Sequence, residues 1–207
     1  ALSTCVFPDH LDYYPFTEED IFKGTPTRSN FSYGYAKRCL HVMSNAYSKQ
    51  YGVDYTTFAP SNVYGPEDTF DPESSHFISS LIKKFDEANV GDNIEFWGTG
   101  SPLRQPLYVY DLCEIIPHIL ENHHSSDPLI VAPNFNYTIK NMVGYCKNMM
   151  NKDIDFYFNG KFDGQYRKDG SNEKLLRLLP FFKFTPFEVG LKKTYEWYKE
   201  TSSNNGN

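Results

Sequence analysis

Short apolar runs alternate along this chain with longer segments whose apolar residues recur every three or four positions. Leu2 to Phe7 (LSTCVF) is an apolar run ended by Pro8, and it reads as a buried parallel strand. A loop rich in Asp, Tyr, Pro and Gly follows to about Arg28. Ser29 or Asn30 then caps a long helix that ends near Tyr51, with Gly52 placed where a helix terminus wants positive φ. Val53 to Pro60 predicts the next strand, and His76 opens a helix through FISSLIKKFDEA. IEFWG predicts a strand, and RQPLYVYDLCEIIPHILEN a short strand followed by a helix capped at Asp111 and kinked at Pro117. PLIVAP and IDFYF predict strands. Thr138 caps YTIKNMVGYCKNMM, SNEKLLRLLP is a short helix, and PFEVGLKKTYEWYKET is the last helix, with proline at its first position. Residues 201–207, ending in SSNNGN, read as a frayed polar tail.

Strands alternating with helices predict an α/β fold with crossover connections. In such folds ligands sit at the carboxyl ends of the strands, on the long strand-to-helix loops. The chain has 207 residues, 40% hydrophobic and 17% aromatic, which is ample for a packed core. Its net charge of −6 and the lack of any basic block argue against nucleic acid as a partner. No apolar run approaches membrane-spanning length, so no membrane role is expected. Cys5, Cys39, Cys113 and Cys146 form no C-x-x-C pair, which predicts neither zinc nor a disulfide framework and points to a reducing, cytoplasmic compartment.

Several residues could carry chemistry. Tyr33 and Lys37 in SNFSYGYAK stand at i and i+4, on one helix face. A nearby ammonium favours phenolate over phenol, so such a pair can deliver a proton to a ketone oxygen. Tyr and Lys at this spacing also occur on many helices by chance. Ser3 and Cys5 alternate on the expected first strand and would share a face at the ligand edge. A thiolate there could take a proton from a carbon beside a ketone, although a lone Cys is more often a small buried hydrophobe. His76 could trade protons near neutral pH, or simply cap its helix in solvent. Lys83, Lys84 and Arg104 could bind an anion or be surface charge. Trp97 is either core or a flat surface for a base, and Asp163 could be plain turn chemistry before a glycine.

The stretches LSTCVFPD, SNFSYGYAKR, APSNVYGPEDTF, SSHFISSLIKKFDEA, FWGTGSPLRQ, FDGQYRKDGSN and FFKFTPFEVGLKKT run in order through most of the chain. Together they resemble the extended short-chain dehydrogenase/reductases and, within them, the GDP-L-fucose synthase family. That resemblance implies part of a Rossmann-type parallel sheet plus a small α+β substrate-binding lobe. It implies NADPH-dependent 3,5-epimerisation and 4-reduction of GDP-4-keto-6-deoxy-D-mannose. Ser3, Tyr33 and Lys37 match the reductase triad, Cys5 the epimerisation base and His76 the reprotonating acid. Ala1, Leu2, Ser3, Thr4, Tyr33, Lys37, Pro60, Ser61, Asn62, Val63 and His76 match positions that hold NADP(H). Lys84, Trp97, Arg104 and Asp163 match positions that hold the GDP portion, with Lys84 a point charge where some relatives carry arginine. A homodimer through the helix bearing Tyr33 and Lys37 is also implied.

The implied domains are 1–70 with 104–132 for the dinucleotide side, and 71–103 with 133–200 for the substrate side. No glycine-rich phosphate loop occurs in these 207 residues, so the chain by itself is expected to bind NADPH poorly and to be inactive. Pro106 departs from the bulky apolar residue of the resembled family and should weaken a strand. Two other readings fit parts of the pattern: a nucleotide-sugar dehydratase or 4-epimerase of the same superfamily, or a non-catalytic nucleotide-sugar-binding remnant. Cys5 and His76 speak against the first of these, because those reactions need no acid/base pair at C3 and C5.

Overall fold

The computed structural model describes residues 1–204. Eight short strands form four pairs. β1 (Phe58–Pro60) runs parallel to β6 (Leu129–Val131), and β2 (Asn62–Tyr64) parallel to β5 (Pro106–Tyr108). The Ser61 amide still bonds Val131 O while the Asn62 amide bonds Gln105 O. One extended segment therefore leaves one neighbour and joins another within two residues. That switch sets residues 60–63 at the strand ends. β3 (Asn93–Phe96) is parallel to β8 (Asp155–Phe158), and β4 (Leu103–Arg104) is antiparallel to β7 (Tyr137–Thr138). Parallel pairing with helices between the strands makes the fold α/β, as the alternating pattern predicts.

The helices follow the apolar spacing. α2 (Phe77–Glu87) buries Ile78, Leu81, Ile82 and Phe85, one stripe at i, i+3, i+4 and i+7. α4 (Ile139–Met150) buries Met142, Val143, Cys146 and Met150 and starts with a capping box between Thr138 and Asn141. These faces meet Ile94 and Phe96 of β3 and Phe187 and Leu191 of α6 (Phe187–Asn204) in one core. A second core gathers Leu2, Val6, Phe7, Phe16, Ile21 and Ala59. A third joins Leu107, Ile115, Ile119, Leu129, Val131 and Leu175, drawing on α3 (Val109–Asn122) and α5 (Glu173–Leu178).

Several expectations are corrected. Leu2 to Phe7 is not a strand: Thr4–Val6 is a 3-10 turn, and only Leu2 keeps a strand-like bond, from its amide to Phe58 O at 2.7 Å. Ser3 Oγ accepts from the Cys5 amide at 3.2 Å, and this local bond replaces ladder pairing. The strand expected over Val53 to Pro60 is confined to Phe58–Pro60. Asp111 does not cap α3 but sits in its first turn, where its carboxylate accepts from Thr185 N and Oγ1 at 2.8 and 2.6 Å. The helix runs through Pro117 to Asn122. Pro186 precedes the first turn of α6, and its carbonyl accepts from the Val189 and Gly190 amides. Residues 201–204 of the expected tail belong to α6; residues 205–207 of it lie outside the described residues. Pro106 is the first residue of β5, which is buried throughout.

α1 (Phe31–Tyr51) buries only Gly34, Arg38 and His41 and is closed by Gly52 at φ 64°. Arg38 Nε donates to Val6 O at 2.7 Å. A Cβ added at Gly34 would stand 2.6 Å from Cys5 O and 2.7 Å from Pro26 Cβ. The helix therefore reaches the 3-10 turn only because position 34 has no side chain. Gly144 in α4, by contrast, has nothing within 4 Å of such a Cβ. Gly34→Ala should destabilise by about 1–3 kcal/mol, whereas Gly144→Ala should stabilise by about 0.4–1 kcal/mol. Denaturant melts of both variants check the pair.

Candidate active site

A cavity of about 540 Å³ opens where the 3-10 turn, the start of α1, residues 60–63 and the start of α2 meet. Its wall includes Ser3, Cys5, Asn30, Tyr33, His76 and Lys168. None of the residues lining it is Asp or Glu. Proton transfer inside it must therefore use thiol, imidazole, phenol or ammonium groups.

Ser3 and Cys5 do come together, through the turn and not through strand alternation. Cys5 is half-buried, so the small-hydrophobe reading does not hold. Its sulfur lies 3.4 Å from Asn30 Nδ2 and 2.9 Å from Lys168 Nζ. Tyr33 is 48% exposed and faces the cavity. The Lys37 ammonium stands 5.7 Å from the Tyr33 ring centroid and donates to Ala1 O at 3.0 Å. Ala1 and Lys37 are not themselves among the lining residues, whereas Leu2, Thr4, Pro60, Ser61, Asn62 and Val63 are. Ser61 Oγ and Asn62 Oδ1 are buried with no hydrogen-bond partner among the described residues. Buried polar atoms are normally satisfied, so this wall suits a ligand carrying both donors and acceptors.

His76 is both the cap position of α2 and a wall residue, which joins the two readings of it. Its side chain is exposed, and Nδ1 lies 3.5 Å from Asp68 Oδ1. Asp68 also accepts from Ser79 Oγ, which ties the histidine's orienting carboxylate to α2.

A second cavity, about 470 Å³, adjoins the first across Phe77, which lines both. Lys84, Trp97, Arg104 and Asp163 all line it. Trp97 is 81% exposed and so is not core. Lys84 Nζ donates to Glu95 O at 2.9 Å and lies over the Phe96 ring, whereas Lys83 points to Glu87 instead. Arg104 donates to Leu103 O and Gln165 O at 2.7 and 2.9 Å. Burial pulls its guanidinium below the usual value, and Asp163 and Cys5 act in the other direction. Asp163 is more than turn chemistry: its carboxylate accepts from Thr99 N and Oγ1 at 2.8 and 2.7 Å. Gly98, at φ 80°, permits this, because a Cβ there would stand 2.2 Å from Asp163 Oδ1.

Sequence reasoning missed Asn30 as a side-chain partner and missed Lys168 altogether. Lys168 is 163 residues from Cys5 in the chain, and no local spacing signals the contact.

Residues 1–132 match the family model described as the NAD dependent epimerase/dehydratase family, which is more than half of the chain. The chain belongs to the NAD dependent epimerase/dehydratase family. Among relatives of this family, a probable GDP-L-fucose synthase of Drosophila melanogaster is 36% identical over 97% of this chain and 65% of its own length. The GDP-L-fucose synthase of Dictyostelium discoideum is 36% identical over 96% of this chain and 63% of its own length. A crystal structure of a GDP-L-fucose synthetase from Naegleria fowleri bound to NADP superposes with a TM-score of 0.90 at 35% identity, covering 98% of this chain and 65% of that one. The chain thus spans a little under two thirds of these relatives. Its α/β architecture with parallel strand pairs matches the Rossmann-type fold of the epimerase/dehydratase family.

Asp163 holds the Gly98–Thr99 turn at the mouth of the second cavity. Asp163→Ala should raise the hydrogen-exchange rate of the Thr99 amide about tenfold, the loss of roughly 1.4 kcal/mol of local protection. Amides in the middle of α4 should keep their rates. Exchange followed by NMR measures both.

Proposed function

We propose that the full gene product is a GDP-L-fucose synthase, converting GDP-4-keto-6-deoxy-D-mannose to GDP-L-fucose with NADPH. The observation that carries this reading is the pair of adjoining cavities. One is lined by Ser3, Cys5, Tyr33 and His76, the other by Lys84, Trp97, Arg104 and Asp163, and they share Phe77. A sugar in the first and a nucleotide diphosphate in the second would span both. The likeness to named synthases from three organisms supports it.

The C4 ketone acidifies the hydrogens on both neighbouring carbons, C3 and C5. At each carbon in turn Cys5, as thiolate, takes the proton and His76, held in orientation by Asp68, gives one to the other face; between the two steps the thiol loses its proton to solvent and the imidazole regains one from it. Ser3 and Tyr33 hold the ketone oxygen, and Tyr33 gives it a proton in the last step. NADPH, when bound, supplies the hydride to C4. Lys37 steadies the developing phenolate charge, and the unpaired Ser61 Oγ and Asn62 Oδ1 fit the amide and ribose groups of a nicotinamide nucleotide. In the second cavity the exposed Trp97 offers a face to the guanine, while Lys84 and Arg104 meet the diphosphate.

Residues 1–70 with 104–132 serve as the dinucleotide side in this reading, and residues 71–103 with 133–200 as the substrate side. α1 serves as the face of a homodimer, supported by exposed Leu40, Val42, Met43, Tyr47 and Tyr51 along it. Four free cysteines suit a reducing, cytoplasmic compartment. Among the described residues no helix is long and apolar enough to cross a membrane.

The test uses the full-length protein with GDP-4-keto-6-deoxy-D-mannose in deuterated water. Tyr33→Phe should lower NADPH-dependent reduction by about 10²–10⁴-fold while deuterium still enters C3 and C5. Cys5→Ser should show the reverse order of damage: deuterium entry is lost first, in a protein that melts like the parent. Normal deuterium entry in Cys5→Ser would remove the thiol as the base.

A further inference from the structure

We propose that Lys168 is a positioning residue that keeps the Cys5 sulfur as a thiolate aimed into the catalytic cavity. The inference rests on the reading of Cys5 as a base but starts from the hydrogen bonds around it. Both side-chain partners of the sulfur are donors. An ammonium has three N–H groups and no acceptor, and Asn30 presents its NH₂. A thiol proton would find neither of them able to receive it. The contacts are satisfied when the sulfur is an acceptor, and the anion is the strong acceptor.

Lys168 makes the same demand from its side. It is only 9% exposed, yet its hydrogen bond to Cys5 is the one its ammonium makes among the described residues, and no carboxylate lies within ion-pair distance. The neighbouring carboxylate, Asp169, is occupied by both arms of Arg167. A buried ammonium is disfavoured without a counter-charge, and a thiolate at 2.9 Å supplies that charge.

The backbone that presents Lys168 is locked. Phe16 N donates to Asp169 O at 3.0 Å, and Ser171 N to Phe16 O at 2.7 Å. Gln105 donates to Gly170 O and accepts from Gly170 N, at 3.1 and 2.8 Å. The ammonium is therefore aimed from a fixed base and not carried by a loose surface chain. The other charged or titratable groups facing Cys5 are Arg104, whose charge it feels, and Tyr33 and His76 across the cavity. Of these groups, Lys168 alone touches the sulfur.

The same segment carries Asp163, which lines the second cavity, and Gln165, whose carbonyl holds Arg104. One stretch of chain thus serves the nucleotide end and the thiolate. The competing role for Lys168 is to bind phosphate oxygens only, with its approach to Cys5 incidental.

Iodoacetamide alkylation of full-length protein decides between them, read at the Cys5 peptide by mass spectrometry from about pH 6 to about pH 10. Lys168→Met should move the midpoint of the rate profile upward by one pH unit or more, so that alkylation near pH 7 slows about tenfold. Lys168→Arg should stay within about twofold of the parent, because the charge is kept. A Lys168→Met profile that superimposes on the parent overturns the proposal and leaves the phosphate role. Should Lys168→Met fail to fold, the difference in absorbance near 240 nm between the parent and Cys5→Ser decides. A thiolate band at pH 7 is expected, and its absence overturns the proposal. Neither readout uses sugar nucleotide or coenzyme. A parent protein that neither epimerises nor reduces the sugar nucleotide, with a shifted Lys168→Met profile, would therefore sink the substrate assignment and leave this one standing.

Discussion

The approach of α1 to the turn at Thr4–Val6 is the constraint on which the first cavity depends. The helix contributes little to the core; its buried positions are Gly34, Arg38 and His41. Through Gly34 its backbone comes within contact of the Cys5 carbonyl, and through Arg38 it bonds Val6 O. Those two contacts hold Tyr33, one residue before Gly34, in the same cavity wall as Ser3 and Cys5. Burial pulls the Arg38 guanidinium below its ordinary value, and its Nη2 has no partner among the described residues. Part of the binding energy of α1 is thus spent on desolvating a charge. The exchange holds because the same side chain closes a carbonyl at the end of the turn. A helix held by so narrow a seam leaves its remaining apolar face open to a partner.

The electrostatics of the two cavities divide the labour. The first has no carboxylate in its wall, so no Asp or Glu there competes with the Cys5 sulfur for the Lys168 ammonium. The second has Asp163 and Glu95, but both are committed. Asp163 is held by Thr99, and Glu95 by Tyr157 and Asn159, whose hydrogen bonds keep its carboxyl below the ordinary range. Carboxylates that are already satisfied by neutral donors shape the pocket without closing off Lys84 and Arg104.

How much of this was legible follows from the range of each signal. Tyr33 and Lys37 were legible because a helix repeats every few residues and their spacing is local. The stripe Ile78, Leu81, Ile82 and Phe85 was legible for the same reason, as was the Gly52 terminus. The α/β class followed from the alternation of such elements. Ser3 and Cys5 were placed together for the wrong reason: a serine hydroxyl two residues from an amide formed a turn, and a short apolar run could not announce that competition. Asp111 has the chemistry of a cap, but a threonine 74 positions away claimed it. Gly34 reads as an ordinary small residue until the Cys5 carbonyl is brought beside it. Lys168 stood inside a stretch already singled out for Asp163, and only the folded chain shows that it faces a sulfur.

These cases share a physical cause. Hydrophobic period and capping chemistry are written within a turn or two of chain, whereas a buried charge is paired across the whole topology. The switch at Ser61 shows how the two scales connect. Three residues of β1 and three of β2 suffice to carry one segment from β6 to β5, and beside the break Ser61 Oγ and Asn62 Oδ1 stay buried with no hydrogen-bond partner among the described residues. Their hydrogen-bonding capacity is left over because the backbone satisfied itself at the point where the neighbours change. A ligand that completes those groups is favoured there by the geometry of the sheet itself. The thiol of Cys5, the phenol of Tyr33 and the imidazole of His76 line the same cavity as that wall.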